Sequence, residues 1–213
     1  MSHPSLAHER RLQRHGYTLI AGIDEAGRGA WAGPVVAAAV IFPLQNHSLT
    51  KTLRGVNDSK QLTPRQREAL IAVIQAASVT VGIGLVTPTE IDALNILAAT
   101  RLAMQRAVAS LHPQPEALLI DAVNLSSLLS LPQRSMNYGD CISLTIAAAS
   151  ILAKVTRDRI VRDLDTRHPG YGFARHKGYG TALHKAALEE LGVSESHRRS
   201  YRPVAKILQE QML

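Results

Sequence analysis

The order of its patterns makes this chain an α/β protein. Two apolar, strand-like runs joined by glycines come first, and helix, strand, helix, strand and helix follow in turn. The first sign is the stretch over residues 17–42. The apolar run Tyr17–Ile23 leads into Asp24 and Glu25, a turn with glycines at 27, 29 and 33 follows, and a second apolar run spans Val35–Phe42. Two such runs around a glycine-rich connection predict a β-hairpin. The second sign is a pair of helix starts, Thr63-Pro64-Arg65-Gln66 and Thr87-Pro88-Thr89-Glu90, each with an N-cap threonine, proline at the first helical position and a capping-box partner.

The remaining elements follow in order. Residues 1–16 read as a loose basic lead-in, and 17–213 as one domain. The helix from Thr63 turns Leu70, Ile71 and Ile74 inward. Val79–Val86 alternates, which predicts a strand with Val79, Val81, Ile83 and Leu85 on one face. The helix from Thr87 runs to about Leu111, with Ile91, Leu94, Ala98 and Leu102 inside. Ala117–Ile120 is a short buried strand that ends at Asp121. Residues 122–138 read as a loop, and Gly139-Asp140 opens a helix reaching about residue 166. Its Ala147-Ala148-Ala149-Ser150 run is small on every side, so another backbone can pack closely against it. A loop over Gly170–Gly180, a helix from Thr181 to Leu191 stopped by Gly192, and a basic, helical tail complete the chain.

Composition narrows the function. The 213 residues suffice for a proper core. No apolar run is long enough to span a bilayer, and the polar N-terminus lacks the core of a secretory signal. The single Cys141 excludes an intramolecular disulfide and a cysteine-rich zinc site. A cytoplasmic monomer that does not engage membranes is the simplest expectation. Net charge is +7, and the last 60 residues hold 12 of the 24 Lys and Arg against 7 of the 17 acids. That bias suits a polyanion, although a solvated basic face has the same composition.

Four acids stand at element ends. Asp24 and Glu25 close one strand, Asp121 closes another and Asp140 opens a helix. If the two strands are neighbours, the acids meet at one edge. Asp140 is also a good N-cap and Asp121 an ordinary loop acid. Adjacent residues on a strand face opposite ways, so Asp24 and Glu25 converge only where the backbone twists or ends. Crowded carboxylates require cations, and hard oxygen ligands suit Mg²⁺ or Mn²⁺. Beside a basic surface they suggest phosphodiester chemistry, in which two ions about 3.5–4 Å apart activate water and stabilise the leaving oxygen.

Gly22 to Gly29 (Gly-Ile-Asp-Glu-Ala-Gly-Arg-Gly) followed by Ala-Gly-Pro-Val-Val-Ala-Ala-Ala-Val-Ile resembles the signature of the ribonuclease HII family. Asn57-Asp58-Ser59-Lys60, Ile120-Asp121-Ala122, Gly139-Asp140 with the helix to Asp158, Tyr171 to Thr181, and His197 to Val204 agree in order. The resemblance spans about residues 17–206. It implies a ribonuclease H-like fold, a mixed central sheet flanked by helices with a helical C-terminal extension. It implies endonucleolytic cutting of RNA in RNA–DNA hybrids and on the 5′ side of single ribonucleotides in duplex DNA, leaving 3′-hydroxyl and 5′-phosphate ends. By motif position Asp24, Glu25, Asp121 and Asp140 take the catalytic, metal-binding places. Gly27, Arg28 and Gly29 match the turn that reads the 2′-hydroxyl. Tyr179 matches the tyrosine that packs on the following deoxyribose. Lys60 is a candidate phosphate contact, and Lys154 and Arg157 either brace the helix or touch backbone. Trp31 and Ala122 depart from the family pattern, which often has leucine and usually glycine there. Whether a sliding clamp docks at a terminus is left open. Two other readings remain at this point, another ribonuclease H-like nuclease (a resolvase or exonuclease) and a non-catalytic hybrid-binding module.

Overall fold

The computed structural model describes residues 3–210. Its five strands are β1 (Ile20–Ala26), β2 (Val35–Ile41), β3 (Thr80–Val86), β4 (Ala117–Asp121) and β5 (Gln133–Met136). The helices are α1 (Ala7–Arg14), α2 (Leu49–Thr52), α3 (Pro64–Ala77), α4 (Pro88–Leu94), α5 (Ile96–Ala109), α6 (Leu144–Arg167), α7 (Phe173–His176), α8 (Ala182–Leu191) and α9 (Arg202–Glu210). The strands form one mixed sheet in the order β3-β2-β1-β4-β5. The hairpin β1–β2 is antiparallel, as expected, and β4 lies parallel beside β1 with Ile23 opposite Ile120. That register sets Asp24 and Asp121 side by side at the same end of the sheet. Both expected capping boxes are formed. Among the described residues no helix is long and apolar enough to cross a membrane.

Each face of the sheet is covered. Ile20, Ala38, Val40 and Leu119 meet α6, while Ala21, Ile23, Ala39 and Ile120 meet α5. The two faces hold alternate residues, as a strand requires. Helix α6 approaches β1 very closely. A Cβ on Gly22 would lie 2.4 Å from the backbone carbon of Thr145. The residues 147–150 are all buried, so the small-residue run does permit the close packing expected of it.

Three expectations are corrected. The lead-in is not loose, although Met1 and Ser2 lie outside the described residues. It contains α1, and Ser5 bridges Ser143. Glu9 of α1 is fully buried. Its Oε1 accepts hydrogen bonds from Ser143 Oγ at 2.5 Å, from the Thr145 amide at 3.1 Å and from Thr145 Oγ1. The helix from Thr87 is two helices, because Asn95 takes φ +75° and caps α5 by accepting from Leu97 and Ala98. The break re-registers the inner face to Ala99, Ala103, Met104 and Ala107, leaving Leu94 exposed. On β3, as expected, Val81, Ile83 and Leu85 share one face; the other face, Gly82, Gly84 and Val86, meets α5, whose backbone comes too close for side chains there, and Val79 and Ile83 are exposed. Residues 122–138 include the edge strand β5, whose Gln-Arg-Ser-Met carries no apolar alternation to announce it.

A third apolar cluster joins α6 to α7, α8 and α9. At its centre three neutral histidines have fixed tautomers. Backbone N–H groups only donate, so Ser194 donates to His197 Nδ1 (3.1 Å). His197 Nε2–H must then donate to His184 Nε2 (3.0 Å), and His184 Nδ1–H to the Tyr179 carbonyl (3.0 Å). Gly178 N–H likewise donates to His176 Nδ1, leaving His176 Nε2–H for the Tyr171 carbonyl. Burial is the main reason that His184 is lowered to about 4 and His197 to about 3.

Two outcomes are expected. Glu9→Ala leaves the Ser143 and Thr145 donors buried without an acceptor and costs about 2 kcal/mol in urea unfolding. The histidines take up protons more readily in the unfolded chain than in the native state. The stability that His184 and His197 contribute is therefore complete above about pH 6.5 and falls as pH drops toward 4, by about 1.4 kcal/mol per unit for each of the two. Urea titrations across that range should show a shallower slope in His197→Asn.

Candidate active site

The hairpin and α6 bring the four acids to one end of the sheet. Alternation puts Asp24 and Asp121 on the α6 side, and Asp140 arrives there from a short 3₁₀ turn, Gly139–Cys141. Asp140 is not the N-cap of the long helix. Ser143 holds that place, accepting from the Ile146 amide at 3.2 Å. Asp140 is thereby released from a capping role, and it is only 2% exposed. Glu25 starts from the opposite side of β1, but its carboxylate feels that of Asp121.

Each acid is held individually. Asp24 Oδ1 accepts the Glu25 amide at 2.6 Å, and Asp121 Oδ1 accepts the Gly139 amide at 2.7 Å. Glu25 Oε1 takes Arg28 Nη1 at 3.3 Å, while Glu25 Oε2 is buried with no partner. Lys60 Nζ lies 3.3 Å from Asp140 Oδ2 and 4.0 Å from Asp58 Oδ1. Among the described residues, no three acids, histidines or cysteines already stand as a ligand shell. Burial, then repulsion from Glu25 and Asp121, pushes Asp24 well above the usual carboxylate range. Burial also raises Glu25 against the pull of Arg28, and it raises Asp121 against the Gly139 hydrogen bond. Burial opposes the charge on Lys60, but Asp140, Asp58 and Asp24 together outweigh it and raise the ammonium. After Asp121 the chain turns through Ala122 at φ +52°, a conformation glycine adopts more easily.

The glycine turn lies beside this edge. Gly27 takes φ +95°, and a Cβ there would sit 2.0 Å from Arg157 Nε. Arg28 and Gly29 are exposed, and among the described residues their amides donate to no acceptor. Tyr179 pairs with Ala30 in an isolated antiparallel bridge, so the two segments matched to substrate reading are neighbours. The Tyr179 ring is 5.7 Å from Lys154 Nζ and 5.3 Å from the Arg157 guanidinium carbon. Trp31 packs on Gly180 and His184.

The sequence reading left Arg157 undecided and did not single out Arg198. Both are fully buried, and their guanidinium groups bond carbonyl oxygens of the segment 28–34. Tyr201 adds a hydroxyl bond to the Arg28 carbonyl at 2.5 Å. Nothing in a basic C-terminal stretch distinguishes a buried arginine from a solvated one. The only available signal was that Arg198 and Tyr201 lie inside a motif block.

The ribonuclease HII family model matches residues 21–204. A ribonuclease HII from Chloroflexus aurantiacus is 54% identical over 205 residues, 96% of this chain and 96% of its own length. The ribonuclease H2 of Pyrococcus horikoshii OT3 aligns with a TM-score of 0.78 at 29% identity, covering 90% of this chain and 97% of that one. A chain from the PCNA:RNase HII complex of Archaeoglobus fulgidus aligns at 0.73 and 26% identity, over 86% of this chain and 95% of its own. A glycine turn set against paired strand-end acids, on a sheet shared with these structures and in a sequence matched almost end to end, makes this chain a member of the ribonuclease HII family.

Proposed function

We infer that the protein is an endonuclease that hydrolyses the RNA strand of RNA–DNA hybrids and cuts on the 5′ side of a single ribonucleotide in duplex DNA. The observation that carries this reading is the juxtaposition at one sheet end of buried acids with a turn whose Arg28 and Gly29 amides are free. A 2′-hydroxyl can bond such amides, which is how a protein distinguishes RNA from DNA. In this reading Asp24, Glu25, Asp121 and Asp140 form the catalytic centre, Gly27, Arg28 and Gly29 read the ribose, Tyr179 packs on the next sugar, and Lys60 meets a phosphate.

The acids fit divalent ions. Glu25 Oε2 is a buried, unpartnered oxygen, three carboxyls are raised by crowding and burial, and an ammonium already sits against Asp140. We propose that the four acids hold two Mg²⁺ or Mn²⁺ ions with substrate bound. Such ions would supply the positive charge that activates water and stabilises the leaving oxygen. The chain itself excludes solvent around Asp24, orients Glu25 through Arg28 and keeps Asp121 fixed by the Gly139 amide.

A groove of about 450 Å³ beside Lys154 carries Arg65, Arg175 and Lys177, with Glu68 and Asp158 pairing Arg162 and Lys154, and its net positive lining supports phosphate tracking along the duplex. Arg65 comes from α3, so this surface is not confined to the C-terminal third. Large exposed apolar side chains are spread over several elements, which supports a monomer, and a single cysteine, Cys141, supports a reducing, cytoplasmic setting. The PCNA complex of the Archaeoglobus relative supports a sliding-clamp contact here as well.

Two measurements test this reading. Duplex DNA with one ribonucleotide should be cut on its 5′ side with Mg²⁺ or Mn²⁺, and neither with chelator nor by Asp24→Asn. Cutting of an all-DNA duplex at a similar rate would instead indicate a different nuclease. In chelator, the same Asp24→Asn variant should be more stable than the parent near neutral pH by about 1–2 kcal/mol in urea unfolding. It removes a crowded buried charge while keeping an oxygen for the Glu25 amide.

A further inference from the structure

Arg157 joins two segments that the sequence keeps far apart. Its Nε donates to the Pro34 carbonyl at 3.0 Å and its Nη2 to the Ala32 carbonyl at 3.0 Å, both in the segment that follows the glycine turn. Its Nη1 donates to the Lys177 carbonyl at 2.9 Å, two residues before Tyr179. The guanidinium carbon lies 5.3 Å from the Tyr179 ring, and Gly27 approaches the same side chain so closely that no Cβ fits. The Trp31 and Ala32 amides donate to the Gly178 carbonyl at 2.8 and 3.2 Å, closing the junction from the other side. Arg198 differs. Its bonds go to the Arg28 and Gly33 carbonyls and to Tyr201, and none goes to the Lys177–Tyr179 segment.

Resting on the proposed roles of the turn and Tyr179, we propose that Arg157 is a positioning residue for specificity. Its planar fork sets the spacing between the turn that reads a ribose and the tyrosine that packs on the next sugar. A single embedded ribonucleotide presents one ribose followed by a deoxyribose, so both readers must be engaged at the correct spacing. In a long RNA tract the next sugar is a ribose at every cut but the last, and the spacing matters less. Lysine cannot reproduce the fork, because its one ammonium cannot span three carbonyls in a fixed plane.

The experiment compares kcat/KM on a duplex with one ribonucleotide and on a duplex with an RNA tract, and takes the ratio. Melting curves establish that each variant is folded, and Tyr179→Ala gauges how far the ratio depends on the ring. Arg157→Lys should lower the ratio about tenfold, within the roughly hundredfold that a misplacement of about 1 Å can cost. Gly178→Ala should lower it too, because its Cβ would meet the Ala32 carbonyl oxygen at 2.5 Å and push the two segments apart with Arg157 intact. Arg198→Lys should lower both rates alike and leave the ratio unchanged. If Arg157→Lys fails to fold, Gly178→Ala decides. An unchanged ratio in folded Arg157→Lys and Gly178→Ala, with a lowered one in Tyr179→Ala, overturns the proposal and spares the reading of Tyr179. An unchanged ratio in Tyr179→Ala overturns both. A drop in the ratio for Arg198→Lys equal to that for Arg157→Lys would reduce the effect to the integrity of the turn and also overturn the proposal.

Discussion

Asp24 and Asp121 sit on adjacent parallel strands, on the same face and at the same end of the sheet. Two carboxylates placed so repel, and burial removes the water that would otherwise screen them. The neighbouring architecture answers this constraint. Backbone amides from Glu25 and Gly139 hold one oxygen of each, Arg28 draws on Glu25, and Lys60 reaches across from the loop before α3 to Asp140. These contacts hold the acids in place, while burial and crowding still raise Asp24, Glu25 and Asp121. On the proposed reading, small hard cations would complete the charge balance of this site.

Rigidity comes from the opposite strategy. The acids are framed by close backbone packing, with Gly22 against Thr145 and the alanine run of α6 against the sheet. Interiors packed in this manner transmit position faithfully, since at Gly22 the strand that carries Asp24 lies directly against the α6 backbone. The N-terminal helix takes part through Glu9, which ties α1 to the start of α6 a few residues beyond Asp140. A segment that looks peripheral in the sequence thus fixes the helix that backs the site.

The turn over residues 27–34 follows a third rule. Buried carbonyl oxygens need donors, and within this turn the backbone supplies only the Ala30 amide to the Gly27 carbonyl among the described residues. Arg157 and Arg198 supply them from α6 and from the segment before α9. The carbonyls point into the protein, while the Arg28 and Gly29 amides remain free at the exposed edge. The histidine chain through His197 and His184 to the Tyr179 carbonyl does the same for the facing loop.

The sequence by itself determined the hairpin, both capping boxes, the positions of the four acids and the neighbouring glycine turn. These are local signals, written in periodicity, caps and strand ends. It placed Val81, Ile83 and Leu85 together on one face of β3, but alternation does not say which face meets a helix when the helix-facing side carries glycine. It missed β5, whose polar residues pair only because β4 offers an edge, and it ran α4 and α5 together across Asn95, where a side chain caps the break. It took residues 1–16 for a loose lead-in because burial of Glu9 depends on donors more than 130 positions away. The tertiary structure alone decided that Asp140 is free of capping, that Lys60 meets it, and that two arginines of a basic region are buried against one turn. Charge composition counts cations without saying which of them face water. Only the folded chain brings a donor from α6 to a carbonyl of the hairpin and so separates the structural cations from those left for a polyanion.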